Sequence, residues 1–163
     1  MPDLLTNSEI FATQFELKVA NRFIMYIDGI PSYVIKKVER PKWSQKRQTI
    51  DYINLQWFYK GKTTWEEISI ELYDPIVPSA AQAAMEWFRL SHESVTGRDG
   101  YSDFYKKDIT ISVLGPVGDK VEEWTLKGAF PTSFKGGDLD WTKDGDPLSI
   151  TLTLSYDYAI LQY

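Results

Sequence analysis

Asp138, Asp140, Asp144 and Asp146 stand close enough in sequence to suggest a calcium loop. An EF-hand loop begun at Asp138 would place Lys143 where a glycine must turn the chain, and Ser149 where a glutamate must bind through both oxygens. Gly136-Gly137-x-Leu139 supplies half of a calcium-binding nonapeptide, and only once. A solvated acidic turn is the better reading. Glu66-Glu67 and Glu122-Glu123 are neighbours, so on a strand the two members of each pair point to opposite faces and cannot act on one bond. A two-carboxylate hydrolase needs carboxyls converging from different strands, and no motif marks such a pair. The single histidine, His92, falls near the end of a helical pattern, where the dipole favours a surface or capping cation. No serine sits in a nucleophile elbow, and no glycine-rich loop carries the Lys-Ser/Thr of a phosphate cradle. Cysteine is absent, which excludes thiol catalysis, disulfides, iron–sulfur clusters and cysteine zinc sites and fits a reducing compartment. The sequence predicts no enzyme, no metal and no cofactor.

What stands out instead is a set of cations among aromatics. Between positions 36 and 62, Lys36, Lys37, Arg40, Lys42, Lys46, Arg47, Lys60 and Lys62 face only Glu39 and Asp51, a net of +6. The whole chain carries −5, so the remainder carries −11. Trp43, Tyr52, Trp57 and Tyr59 interleave with the cations. Two readings follow. The stretch is either a groove that stacks single-stranded nucleic acid on aromatics, within a monomeric β-barrel binding module, or a contact between copies of the chain. The acidic balance of the whole argues against the first, since nucleic-acid binders carry a basic footprint. It favours the second, because the rest of the same chain offers the opposite charge.

The elements that must position these residues are mostly strands. With 163 residues, 43% hydrophobic and 25% charged, the chain suits one folded domain, 1–163, with a core of its own. Aromatics at 15%, with six Trp and ten Tyr, suit strands and large protein contacts. No apolar run reaches the eighteen residues of a membrane span, and the opening Met1-Pro2-Asp3 does not read as a signal peptide. Residues 1–15 are expected to form an arm, with the capping box Thr6-Asn7-Ser8-Glu9 starting a short helix toward Phe15. Strands are expected over 21–27, ending at the turn pair Asp28-Gly29, and over 33–38, between Pro31 and Pro41. Residues 41–64 form an extended hairpin or a long loop; periodicity does not choose between them. Ile68, Ile70 and Leu72 alternate with Glu67, Ser69, Glu71 and Tyr73, the pattern of a half-buried strand.

One helix is expected from Ser79 to His92, with Ser79 as N-cap and Ala81, Ala84, Met85 and Phe88 as its apolar stripe. A polar loop over 97–105 precedes strands at 108–114 and 121–127, and a Gly/Pro/Asp-rich segment fills 131–147. In the last strand Leu148, Ile150, Leu152, Leu154, Tyr156 and Tyr158 alternate with Ser149, Thr151, Thr153, Ser155 and Asp157. Its polar face is nearly free of charge. The fold class is mainly β, an antiparallel barrel or sandwich carrying one helix. Long alternating strands leave edges that invite aggregation unless covered, and pairing them with identical copies turns that hazard into assembly.

Lys127 to Trp141 reads KGAFPTSFKGGDLDW, and the strand after it closes in Leu154-Ser155-Tyr156-Asp157-Tyr158. This block resembles the C-terminal signature of the tail tube proteins of contractile-tailed bacteriophages, carried here by Gly128, Pro131, Gly137, Leu139, Asp140, Trp141, Tyr156 and Asp157. Phe23 to Gly29, Lys60-Gly61 leading to Trp65, the strand through Asp74-Pro75, the helix ending near Trp87 and the strand entry Tyr105-Lys106-Lys107-Asp108 agree in order. Ala159 to Tyr163 lie beyond the pattern.

The resemblance implies a structural protein without an active site. Hexameric rings would share one continuous β-barrel and stack into a hollow tube inside a contractile sheath, with baseplate and terminator proteins at its ends and DNA passing through unbound. The tube would belong to a virion tail assembled in the bacterial cytoplasm. Related tubes of type VI secretion and contractile injection systems carry protein, and a baseplate tube-initiator has a similar form. On this reading Glu67, Ser69, Glu71, Ser149, Thr151, Thr153 and Ser155 are candidates to face the lumen, where hydroxyls and carboxylates do not hold phosphate. Lys36, Lys37, Arg40, Lys42, Trp43, Lys46, Arg47, Tyr52, Trp57 and Tyr59 are candidates for subunit contacts.

Overall fold

The computed structural model describes residues 15–163; the helix expected from Thr6 lies outside them. Among the described residues nine strands form: β1 (Phe23–Tyr26), β2 (Ile35–Val38), β3 (Lys42–Tyr52), β4 (Leu55–Glu66), β5 (Ile68–Tyr73), β6 (Lys107–Leu114), β7 (Lys120–Gly136), β8 (Ser149–Ser155) and β9 (Tyr158–Leu161). All their pairings are antiparallel. The main sheet runs β1-β6-β7-β8-β5-β2, with β9 also on β7, and β3-β4 make a separate ribbon. The fold is mainly β, as alternation predicts.

The alternating strands supply the centre of the core. Ile68, Ile70 and Leu72 of β5 pair with Leu154, Leu152 and Ile150 of β8, and all six are buried. Met25, Ile109, Ile111 and Leu126 bring the other half of the sheet against them. Burying each such side chain stabilises the fold by about 1.5–3 kcal/mol.

Helix α1 (Ala80–Ser91) starts where expected. The Ser79 side chain accepts from the Gln82 amide at 3.3 Å, and Asp74 Oδ1 accepts from the Ala80 amide at 3.1 Å. Its core-facing line differs from the predicted stripe: Ala80, Ala84 and Trp87 are buried, while Ala81, Met85 and Phe88 are half-buried. Trp87 goes inward because its indole N–H finds the Tyr105 carbonyl at 2.6 Å, so its bulk is buried with no unpaired donor. That carbonyl ends a second, one-turn helix, α2 (Ser102–Tyr105), in the segment expected to be loop. Four residues leave no room for a helical period, so the pattern is silent there.

Two strand boundaries also depart from expectation. β7 runs on through Gly136, although Pro131 and the glycines read as loop. Beyond Ala129 it has left β6 and, among the described residues, pairs only with β8, and an edge strand tolerates a proline. The last strand breaks at Tyr156-Asp157. β8 ends at Ser155, Tyr156 stays buried, and β9 continues beside β7 with Tyr158 turned outward. The residues that lay beyond the sequence pattern are therefore mostly a strand.

Candidate functional site

The alternation that buries one side of β5 and β8 gathers the polar residues on the other. Ser69 lies opposite Thr153, Glu71 opposite Thr151 and Tyr73 opposite Ser149, so the expected hydroxyl residues and Glu71 share one surface. Ser155 continues that row at the end of β8, whereas Glu67 sits in the joint between β4 and β5 and is exposed. Register adds residues that strand-by-strand reading missed. Ser133 and Lys135 of β7 stand opposite Thr153 and Thr151, and Lys36 Nζ of β2 lies 4.0 Å from Glu71. Only pairing across strands could reveal them. The surface is rich in hydroxyls and mixed in charge, rather than acidic.

This polar sheet, β2-β5-β8-β7, has two open edges. Among the described residues β2 pairs only with β5, and the second half of β7 pairs only with β8. The sheet does not close on itself: β1 and β2 bound an open groove of about 750 Å³ with Val38, Ile111 and Val113 in its wall. Lys36, Lys37 and Arg40 line the same groove, and so belong to β2 and its exit rather than to the aromatic hairpin.

Between the hairpin and the loop that the sequence left open for 41–64, the chain takes the hairpin. β3 and β4 prolong the β2/β5 pair and turn at Ile53-Asn54. At about 3.4 Å per residue its eleven-residue strand reaches roughly 35 Å. Among the described residues nothing covers its outer half. Trp43, Ile50, Tyr52, Leu55, Trp57, Phe58 and Tyr59 are all more than half exposed. Its two faces differ. Tyr52 pairs with Leu55, Ile50 with Trp57 and Gln48 with Tyr59, which makes one face of the outer half apolar. The other face carries Asp51, Gln56, Thr49, Arg47 and Lys60, with the Arg47 guanidinium 4.3 Å from the Phe58 ring.

The base of the hairpin is fastened to the body. Buried Tyr156 donates to the Lys42 carbonyl at 3.3 Å and accepts from the Lys42 amide at 3.2 Å, and its ring centroid lies 5.9 Å from that of Trp65. Burial pushes the Tyr156 hydroxyl up, keeping it neutral and able to donate. A second clasp centres on Glu122, buried on β7 and met by Lys18, by Arg40 at 3.4 Å and by the Trp124 indole N–H. Burial alone would raise its pKa. The hydrogen bonds from Lys18 and Trp124 and the two positive charges outweigh that and hold it below the usual glutamate value. Glu123 points the other way, to the Tyr163 hydroxyl at 2.8 Å. His92 caps α1, 2.7 Å from Asp99.

The signature residues divide between those with a structural use and those without one. Gly128 has φ +67°, and a Cβ there would lie 2.3 Å from Asp157 Oδ2. Asp157 is held by its own amide on the Lys127 carbonyl and by Lys106 at 3.0 Å, which fixes the break between β8 and β9. Gly137 lets the chain approach the Ser149 carbonyl, 2.7 Å from where a Cβ would stand. Asp140 accepts from the Thr142 amide and hydroxyl, both at 2.9 Å, and these two bonds hold its carboxyl below the usual range. Leu139 and Trp141, by contrast, are 87% and 104% exposed. No contact among the described residues accounts for them.

The family model of the T4-like virus tail tube protein gp19 matches residues 19–160, nearly the whole described chain. This chain belongs to that tail tube family. No curated protein matches the sequence at a significant level. Among solved structures, the sheath/tube terminator of the extracellular contractile injection system PVC shares 22% identity over 93% of this chain and 100% of that one, with a TM-score of 0.73. The sheath-tube complex of the same system gives 22%, 98%, 99% and 0.67. The baseplate of the anti-feeding prophage gives 17%, 91%, 97% and 0.68. At such identities these likenesses establish the tail tube fold alone.

Proposed function

We propose that this protein builds the inner tube of a contractile phage tail, as hexameric rings stacked inside a sheath, with baseplate and terminator proteins at the two ends. One observation carries the reading: a four-strand polar sheet ends in two edges that no described residue pairs, β2 and the second half of β7. Successive strands in it alternate in direction, so β2 and β7 run opposite ways. Rotation about an axis along the strands keeps those directions. The β7 edge of one copy therefore meets the β2 edge of the next antiparallel, and a ring closes with no edge left open. Its polar face then lines a water-filled lumen through which DNA passes, and the apolar face stays on each subunit's core. The 42–66 hairpin, which stands off the body, makes contacts between rings. On this reading 1–163 is one tail-tube domain, made for the virion tail and assembled in the host cytoplasm.

A second reading, the inner tube of a protein-injecting particle, is favoured by Lys36 and Lys135 on the polar sheet, since lumen cations would hold phosphate. Negative-stain electron microscopy of the purified chain over a range of concentrations, with light scattering, tests the common core. Six-fold rings or hollow stacks are expected. A strict monomer at every concentration, combined with salt-dependent binding of an oligonucleotide, would overturn it in favour of a nucleic-acid module.

A further inference from the structure

The main sheet has two ends, and the chain has equipped them oppositely. The hairpin leaves one end, between Val38 and Ile68. The loop 137–148 leaves the other, joining Gly136 of β7 to Ser149 of β8, which pairs with the last residue of β5, Tyr73. Charge differs in the same sense. The hairpin holds Lys42, Lys46, Arg47, Lys60 and Lys62 against Asp51 and Glu66, and the loop holds Asp138, Asp140, Asp144 and Asp146 against Lys143. The two balances are equal and opposite, +3 and −3.

We propose that the 137–148 loop is the docking surface for the hairpin of a second copy of this chain, so that copies join head to tail along the strand direction. The proposal rests on the tube reading and names the two surfaces that hold one ring to the next. At the centre of the contact Trp141 and Leu139 meet the apolar hairpin face of Ile50, Tyr52, Leu55 and Trp57, while aspartates and lysines pair around them. An apolar, aromatic centre inside a charged rim is the usual anatomy of a specific contact. The loop is prepared for it: Asp140 accepts both Thr142 donors at 2.9 Å, which shapes the turn that presents Trp141 outward. A subunit's own hairpin is not the occupant, because it starts at the far end of the sheet from the loop.

The test is a charge exchange in the full chain. One variant carries Lys46→Glu, Lys60→Glu and Lys62→Glu; a second carries Asp138→Lys, Asp144→Lys and Asp146→Lys; a third carries all six. Asp140 is left in place because it shapes the turn. Ring formation is read by mass photometry and stacking by sedimentation and electron microscopy. Rings are expected from all three. The first two should need at least about tenfold more protein to stack, since several charge pairs become repulsive at every subunit of a multivalent ring contact. The third should stack like the parent.

Stacking by either single-sided variant at the parent's concentration overturns the proposal, as does failure of the third to recover. A parent that forms no rings points instead to failure of the tube reading. Because the chain lacks cysteine, a second measurement covers variants that do not fold. Gln48→Cys and Lys143→Cys in one chain should oxidise into covalent ladders longer than six chains, while an equal mixture of the two single variants stops at dimers. Absence of the cross-link, with rings present, overturns the proposal and leaves a sheath or baseplate protein as the partner of the loop.

Discussion

Glu122 shows how one residue carries a consequence for the whole subunit. It is buried, and its carboxylate ties the segment before β1, the exit of β2 and the strand β7 through Lys18, Arg40 and Trp124. Its partners are largely exposed, so the clasp is worth less than a fully buried pair. Glu122→Gln is expected to cost about 1–2 kcal/mol in urea denaturation at neutral pH. Because the folded pKa is lowered, the stabilisation is complete above the unfolded glutamate value of about 4.3 and is lost as pH falls through the folded value. The parent should therefore lose more stability than Glu122→Gln when the pH is lowered through that window, and parallel curves would refute the assignment. Gly128→Ala meets a different obstacle, a positive φ and a carboxylate oxygen at 2.3 Å. A loss of about 1–3 kcal/mol is expected, visible as a fall in Tm, from strain and from displacement of Asp157.

At the scale of the element, the hairpin is a device of two parts. Its base is anchored by Tyr156 and Trp65, and its outer half shows large apolar side chains to solvent. Tyr156→Phe removes both bonds to Lys42 and should cost about 1 kcal/mol. It should also speed amide exchange at the base of the hairpin before the sheet core responds. Trp57→Ser should do the reverse: no loss of Tm in the isolated subunit, because the side chain is largely exposed among the described residues, and loss of assembly in a scattering assay. A marked drop in Tm for Trp57→Ser would mean that the hairpin packs on its own subunit. The helix teaches a lesson of the same kind. Its existence and its Ser79 cap were legible in sequence, whereas the buried line was not: the helix offers two overlapping apolar stripes, and the one buried is Ala80, Ala84 and Trp87, whose indole N–H is met by the Tyr105 carbonyl.

For the whole molecule, the proposed assembly would join two kinds of contact with different physics. Ring closure through β2 and β7, as proposed, would use backbone hydrogen bonds, which salt leaves nearly untouched. Contacts made by the charged hairpin are screened, and at about 1 M salt the screening length is roughly 3 Å. Raising salt to that level should disperse stacks into rings without dissolving the rings, as followed by sedimentation. Rings that come apart before stacks would require the roles of the two surfaces to be exchanged.

The amino-acid sequence by itself determined the class of the fold, the faces of β5 and β8, the helix cap and the uneven placing of charge. All of these are set by residues adjacent or a few positions apart, through side-chain alternation, helical period and local hydrogen bonds. It also carried the family signature, although the reason for Gly128 appears only when Asp157 is seen against it. Only the tertiary structure decided that β7 runs through Pro131, that Lys36 and Lys135 join the hydroxyl face, and that 42–66 forms a ribbon anchored at its base and exposed beyond it. It alone decided that hairpin and acidic loop leave opposite ends of one sheet. Each of these depends on which strand lies beside which, a matter of pairing between residues tens of positions apart, and no local pattern encodes a neighbour that far along the chain.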